Sequence, residues 1–488
     1  MRRVVLLLAL LAVPIGAGRA NGRAGEAGVS RELMERIVGA AMTRGGAMAF
    51  LETLTDTIGG RVTGSPESRA TSELILKALK DAGFENAHIE EYALETRWQR
   101  GAASARVVSP VSRAIMIQSY GWVPGTNGRI KAPLAELTAA SDGSFPKDLA
   151  SFRGKAVIVD LQGAMLSFDT NFVVRRIGMA RQLTQAGAVA MLLPSDKPDR
   201  MMYTSGAGFY PRGPLPVLSI AKEDTLFVRR LLAKGEVSVE LDVQNTFDTN
   251  SPKERNVIAD LTGTNPEEIV LLGAHFDSWD PAQGANDNGT GVAAVLEAAR
   301  ILKSLGVKPR ATIRFAFFSG EEQACTGSRS YVEAHEKELN TLRAALIMDG
   351  GAQAPLGFQV HGRADIENSV RKLLSPLKRL GAGDVLPGGD LDSDQETFLV
   401  AGVPALSLWV VPGDYDRNHH AITDTLDKID ERSLDLDTAV LAMASYSIAD
   451  TEERLGKRLS REEVAELLKR TGMTEAVEMD FARELAKP

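Results

Sequence analysis

Four mainly apolar runs without strict alternation in the second half of the chain, at residues 269–274, 313–318, 344–348 and 403–411, constrain the fold more than any other feature. A strand with one wet face alternates apolar and polar side chains, whereas a strand covered on both faces does not. These runs do not alternate, and segments long enough for helices separate them. The pattern predicts an α/β domain over 251–455 with a mainly parallel central sheet and helices on both faces.

The upstream half has a different texture. Residues 21–100 read as helical and then extended, with an amphipathic helix over 67–82 after the turn Gly64-Ser65-Pro66 and a strand over 89–94. This stretch lacks a complete core and is expected to be the first part of the same domain. Residues 101–250 carry short strands, such as 156–159 and 237–241, a helix over 171–186 and Pro-Gly turns at 211–216, which predicts an inserted β-rich domain. Residues 456–488 form a charged tail with helical spacing. A helix packed on its own domain is the simpler reading of it, and a homodimer contact is the alternative.

Chemistry collects where the apolar runs end. The first leads into His275 and Asp277, followed by a loop containing Asp287; the second leads to Glu321-Glu322, the third to Asp349, and the fourth to His419-His420. In open α/β sheets ligands bind at the carboxyl ends of strands, so side chains over a hundred residues apart can meet there. Imidazoles and carboxylates crowded together need cations, and mixed nitrogen and oxygen donors favour zinc. Three ligands per ion with one shared carboxylate give two Zn2+ sites, His275, Asp287 and Asp349 at one and Asp287, Glu322 and His420 at the other. Glu321 is left as general base, and Asp277 is expected to accept the second N–H of His275 and orient its ring. Such a pair of ions suits hydrolysis.

The segments GAHFDSWD at 273–280, QGANDNG at 283–289, Glu321-Glu322-Gln323, and His420 with Asp424-Thr425 resemble the cocatalytic zinc aminopeptidase and glutamate carboxypeptidase family. The likeness runs from about Gly59-Gly60-Arg61 to Glu453. It implies the ligand set and base given above, a cis Asp287–Asn288 peptide, and a protease-associated domain for the insert. Many members of that family place a tyrosine where this chain has His419, so the resemblance gives His419 the role of donor to the oxyanion. Asp394 stands where members keep an aspartate and is expected to hold the free amino group of a substrate, with Asp390 and Asp392 near it. The expected activity is removal of residues from short, unblocked peptides. Hydrolysis of acylated amino acids and a non-catalytic binding protein are the alternatives, and a single zinc would favour the related glutaminyl cyclase chemistry.

Other histidines and motifs are given no role. His88, His335 and His361 read as buried imidazoles satisfied by backbone carbonyls. Asn288-Gly289-Thr290 matches a glycosylation acceptor by pattern but would put a glycan on the metal site. Residues 1–20, with Arg2-Arg3, an apolar core and a small-residue end at Ala20, read as an export signal, placing the protein in the periplasm or outside the cell. No later segment is apolar enough for stable membrane insertion. Cys325 is the only cysteine, which excludes an internal disulfide. The formal charge is −8, and losing three signal arginines leaves −11, which argues against nucleic acid as a partner.

Overall fold

The computed structural model describes residues 30–139, 145–160, 170–206, 215–250, 252–389 and 391–474. The expected signal at 1–20, Asp390, the expected turn residues 211–214 and the end of the tail from 475 lie outside the described residues.

The first sheet has eight strands in the order His88–Ala93, Lys253–Leu261, Ala311–Phe318, Asn265–His275, Leu342–Ile347, Ala405–Val410, Pro355–Gln359 and Asp384–Leu386. Its four middle strands are mutually parallel. Strands Lys253–Leu261 and Pro355–Gln359 flank them antiparallel, so the sheet is mixed toward its edges. Three of the middle strands are buried from Ile269, Ala311 and Leu342 to their carboxyl ends, Arg314 apart, as non-alternating sequence requires.

Helices Arg31–Arg44, Gly46–Thr57, Pro66–Asp81, Thr290–Ser304 and Glu431–Asp450 contribute to the core on one face of this sheet, so residues 30–93 share the core of residues 252–450. Helix Pro66–Asp81 begins with proline in the first turn and Ser65 accepting the N–H of Ser68, the start its sequence predicts. The other face carries Phe398, Tyr331 and helix Arg461–Thr471, which buries Val464, Leu467 and Leu468. Over its described part, the tail packs on its own domain.

The chain leaves and re-enters this unit through a two-stranded ribbon, Arg97–Gln99 against Thr246–Asp248. Between them lies a second eight-stranded sheet, with parallel strands Ile130–Thr138, Ala156–Asp160, Ala190–Pro194 and Val217–Ile220 at its centre. Helices Thr170–Ala186 and Lys222–Leu232 accompany it, so the insert is a mixed α/β unit, richer in helix than its sequence texture suggests. No helix among the described residues is long and apolar enough to cross a membrane.

Candidate active site

Strand Asn265–His275 ends in His275, paired with Phe318 in the parallel neighbour, so sheet register alone places this imidazole. The loop beyond it is gathered by Arg61. Its fully buried guanidinium donates to the carbonyls of Phe276 at 2.7 Å, Gly59 at 2.8 Å, Gln283 at 2.7 Å and Gly284 at 2.9 Å. Gly284 has φ 60, and a Cβ there would lie 2.3 Å from Ser278 Oγ and 2.9 Å from Arg61 Nη2, so only glycine fits this turn. The Asp287–Asn288 peptide is cis. Asp424 accepts the N–H groups of Asn286 at 2.6 Å and Asp287 at 3.1 Å, which aims the Asp287 side chain. Asn288 is fully buried and donates to the Met348 carbonyl, which leaves no room for a glycan.

The predicted ligands meet. His275 Nε2 lies 3.2 Å from Asp349 Oδ1 and 3.5 Å from Asp287 Oδ1, while His420 Nε2 lies 3.2 Å from both Asp287 Oδ2 and Glu322 Oε2. The two oxygens of Asp287 thus face two different imidazoles. Glu321 Oε2 approaches His275 Nε2 at 3.9 Å. His419 Nε2 is 3.6 Å from Asp287 Oδ2, its ring stacked between those of His420 and Tyr415, which brings it into the same donor cluster. Asp394 is fully buried, and Asp392 is exposed and accepts from Gln395.

Asp277 differs from expectation in detail. The nearer acceptor for His275 Nδ1 is the Asp277 backbone carbonyl at 3.1 Å, and the carboxylate is 3.5 Å away. That carboxylate accepts Thr63 Oγ1 at 2.6 Å and the Glu321 N–H at 3.2 Å, so it positions Glu321 as well as the ring.

Burial disfavours every charge here, and neighbours decide the balance. Burial alone would lower His275, but Asp349, Glu321, Asp277 and Asp287 carry it well above the ordinary imidazole range. Burial would raise Asp287, and His275 and His420 instead hold it well below the usual carboxylate value. Burial lifts Glu322 to about 7, opposed by His420, and pushes Glu321 well up, opposed by His275 and reinforced by Asp349. Asp394 is lifted to about 7, again mainly by burial. His419 is held well down by burial and by His420.

The donor chemistry fits divalent cations. Asp287, Glu322 and Asp349 converge on two imidazole nitrogens, and the Glu322 Oε1 atom is buried without a hydrogen-bond partner among the described residues. Arg61 interacts with this charge at longer range but donates to backbone carbonyls instead.

The other histidines meet that expectation only in part: His361 is fully buried, and His88 bonds the Asn86 carbonyl at 2.9 Å from an exposed position. His335 pairs with Glu90 and Glu338, and His361 bonds Ser407 Oγ at 3.0 Å. Tyr203, whose hydroxyl is 3.3 Å from His420 Nδ1, carried no sequence signal for this site, and Trp279, inside the segment GAHFDSWD but given no role there, contacts the His420 ring. Trp279, Pro281, Ala282 and Ala421 line a narrow cleft beside Asp287 and His420. A groove of about 1150 Å³ lies elsewhere, between residues 329–340, 396–401 and 457–468, and none of the candidate residues lines it.

A mixed sheet with paired imidazoles and carboxylates at the ends of its parallel strands defines a metal-dependent hydrolase. Residues 256–445 match the model of peptidase family M28. Carboxypeptidase Q of Xenopus laevis is 30% identical over 419 residues, covering 83% of this chain and 86% of that protein. A probable lipoprotein aminopeptidase, LpqL, of Mycobacterium tuberculosis is 29% identical, covering 81% of this chain and 83% of that protein. The crystal structure of a peptidase M28 precursor from Shewanella amazonensis superposes with a TM-score of 0.78 at 26% identity, covering 88% of this chain and 98% of that one. The chain belongs to peptidase family M28 and is a zinc metallopeptidase, a hydrolase of the aminopeptidase and carboxypeptidase type.

Proposed function

We propose that the protein is an exported exopeptidase that holds two zinc ions and hydrolyses short, unblocked peptides. The observation that carries this reading is the bridging posture of Asp287, whose Oδ1 faces His275 and whose Oδ2 faces His420. His275, Asp287 and Asp349 would hold one ion, and Asp287, Glu322 and His420 the other. When bound, such a pair polarises a carbonyl and supplies an acidified water at neutral pH.

The chain's own groups do the rest. Glu321 Oε2 takes the proton of the attacking water and returns it to the leaving amine, its backbone N–H pinned by Asp277. His419 is the donor to the developing oxyanion, and Asp394 is the carboxylate assigned to the substrate's free amino group. The insert, bounded by the ribbon at 97–99 and 246–248, is read as a protease-associated domain that limits substrate length at the narrow cleft. Residues 1–20 would direct the chain out of the cytoplasm, to the periplasm or beyond.

The test is the zinc content of the wild type and Glu321→Gln, with free and N-acetylated dipeptides assayed in parallel. About two zinc per chain in both proteins, with turnover of free dipeptides falling by roughly 10²–10⁴ in the variant, is the expected result. Undiminished activity in Glu321→Gln overturns the assignment of the base, and equal turnover of blocked dipeptides overturns the exopeptidase reading.

A further inference from the structure

We propose that Tyr203, supplied by the insert, is a positioning residue for His420, so that the insert completes the second metal position as well as covering the cleft. The proposal rests on the two-ion reading above.

No strand holds the peptide around His420. His420 lies ten residues past the end of strand Ala405–Val410, and its φ of 56 falls in the left-handed region that residues with a side chain avoid. Within the catalytic half, no strand carries it as Asn265–His275 carries His275. Local bonds turn the loop, with the His419 N–H donating to the Tyr415 carbonyl at 2.7 Å and the Ala421 N–H to the Asn418 carbonyl at 3.0 Å, and residues 197–204 of the insert add restraints of their own. The Thr204 N–H donates to the His420 carbonyl at 2.9 Å. Lys197 Nζ donates to the Asp416 carbonyl at 2.7 Å and the Arg417 carbonyl at 3.3 Å.

The ring is held in the same way. Tyr203 Oη lies 3.3 Å from His420 Nδ1, and the two rings pack with centroids 5.4 Å apart. His420 Nε2 faces Asp287 and Glu322, which leaves Nδ1 to carry the proton and donate it to Tyr203 Oη. A ligating imidazole whose second nitrogen has a fixed acceptor keeps one tautomer and one orientation. Trp279 also contacts the ring, with centroids 6.0 Å apart, and it fits only because residue 121 of the insert is glycine: a Cβ there would meet the indole at 2.2 Å. Gly121 in turn is tied to Ser205, next to the segment that carries Tyr203.

The experiment measures stepwise zinc affinity by chelator competition on the full chain, comparing wild type with Tyr203→Phe, which keeps the ring and removes the hydroxyl. The second, weaker step should loosen by about 10- to 100-fold while the first is unchanged. The melting temperature in chelator should be the same for both proteins, and the rise on adding zinc should be smaller for the variant. Lys197→Met, which frees the 416–417 carbonyls and removes the ammonium from over the Tyr203 ring but keeps the Tyr203 hydroxyl, should weaken the same step. Identical affinities in wild type and Tyr203→Phe overturn the proposal, and so does equal weakening of both steps with a lower melting temperature in chelator, because that marks a general packing role. A wild type that binds one ion overturns the two-ion reading and this proposal with it.

Discussion

His275 and His420 reach the same carboxylate by different constructions. His275 is the last residue of a central strand, hydrogen-bonded into register on both sides of that strand, and its ring is wholly buried. His420 sits on a loop in a left-handed backbone conformation, gripped by a unit whose own sheet is separate. The first half of the site is therefore as rigid as the sheet. The second is as rigid as the contact between the two units, which can loosen without unfolding either.

Asp287 is the one group that belongs to both halves, so removing it tests the comparison most severely. Asp287→Ala should abolish tight binding at both positions and lower turnover by at least roughly a thousandfold, beyond the 10- to 100-fold cost of losing an outer partner of a ligand. Zinc titration and dipeptide hydrolysis read this directly. A variant that still bound one ion with wild-type affinity would show that Asp287 serves a single position and is not the bridge.

Arg61 sharpens the comparison from the rigid side. Its guanidinium ties the loop after His275 to the loop before Asp287, and burial draws it down to about 10 while Asp424 and Asp277 favour its charged form. Arg61→Met would leave several buried carbonyls without donors, at about 1–3 kcal/mol for each one that water cannot reach. Denaturant unfolding in chelator should show a loss of about 3 kcal/mol or more in the catalytic half. The expected asymmetry is that Tyr203→Phe leaves this unfolding midpoint where it is. Equal midpoints for wild type and Arg61→Met would remove the basis for calling this half self-supporting.

The same division explains what was legible in the sequence. The strand-end residues could be read because a continuous apolar run followed by His, Glu or Asp signals a buried strand opening onto a ligand site, and four such ends share one sheet edge. The direction of the flanking strands could not be read, because Lys253–Leu261 opens with four polar residues and has only the short apolar run 257–259, and its antiparallel pairing with Ala311–Phe318 is a tertiary fact. Arg61 was visible only as a boundary of the family likeness; nothing local says that its side chain collects carbonyls more than two hundred residues away. Tyr203 was invisible for the same reason: it lies in a stretch of no periodicity, and its partner is 217 residues distant. The metal donors could be found from strand ends, whereas the groups that aim them depend on how the two units dock.

The smallest effect is expected at Arg100, which lies beside the ribbon and spans the same contact as Tyr203 by charge instead of by packing. Its Nε donates to Asp280 Oδ1 at 2.8 Å, next to Trp279 in sequence, and Nη2 reaches Thr204 Oγ1 at 3.2 Å. Both charged side chains keep some contact with water, 12% and 27% of their surface, so the pair is screened and contributes about 1 kcal/mol or less. Arg100→Gln should therefore weaken the second zinc step by less than about fivefold, the equivalent of that energy. The difference from wild type should shrink between about 0.01 M and about 1 M salt, as the screening length falls from about 30 Å to about 3 Å. Zinc affinity measured across that range separates the two modes of docking, since the Tyr203 hydrogen bond should be indifferent to salt. A salt-independent loss in Arg100→Gln as large as that in Tyr203→Phe would mean that the arginine acts through Thr204 and the backbone of the gripping segment, and that the docking contact is one cooperative unit.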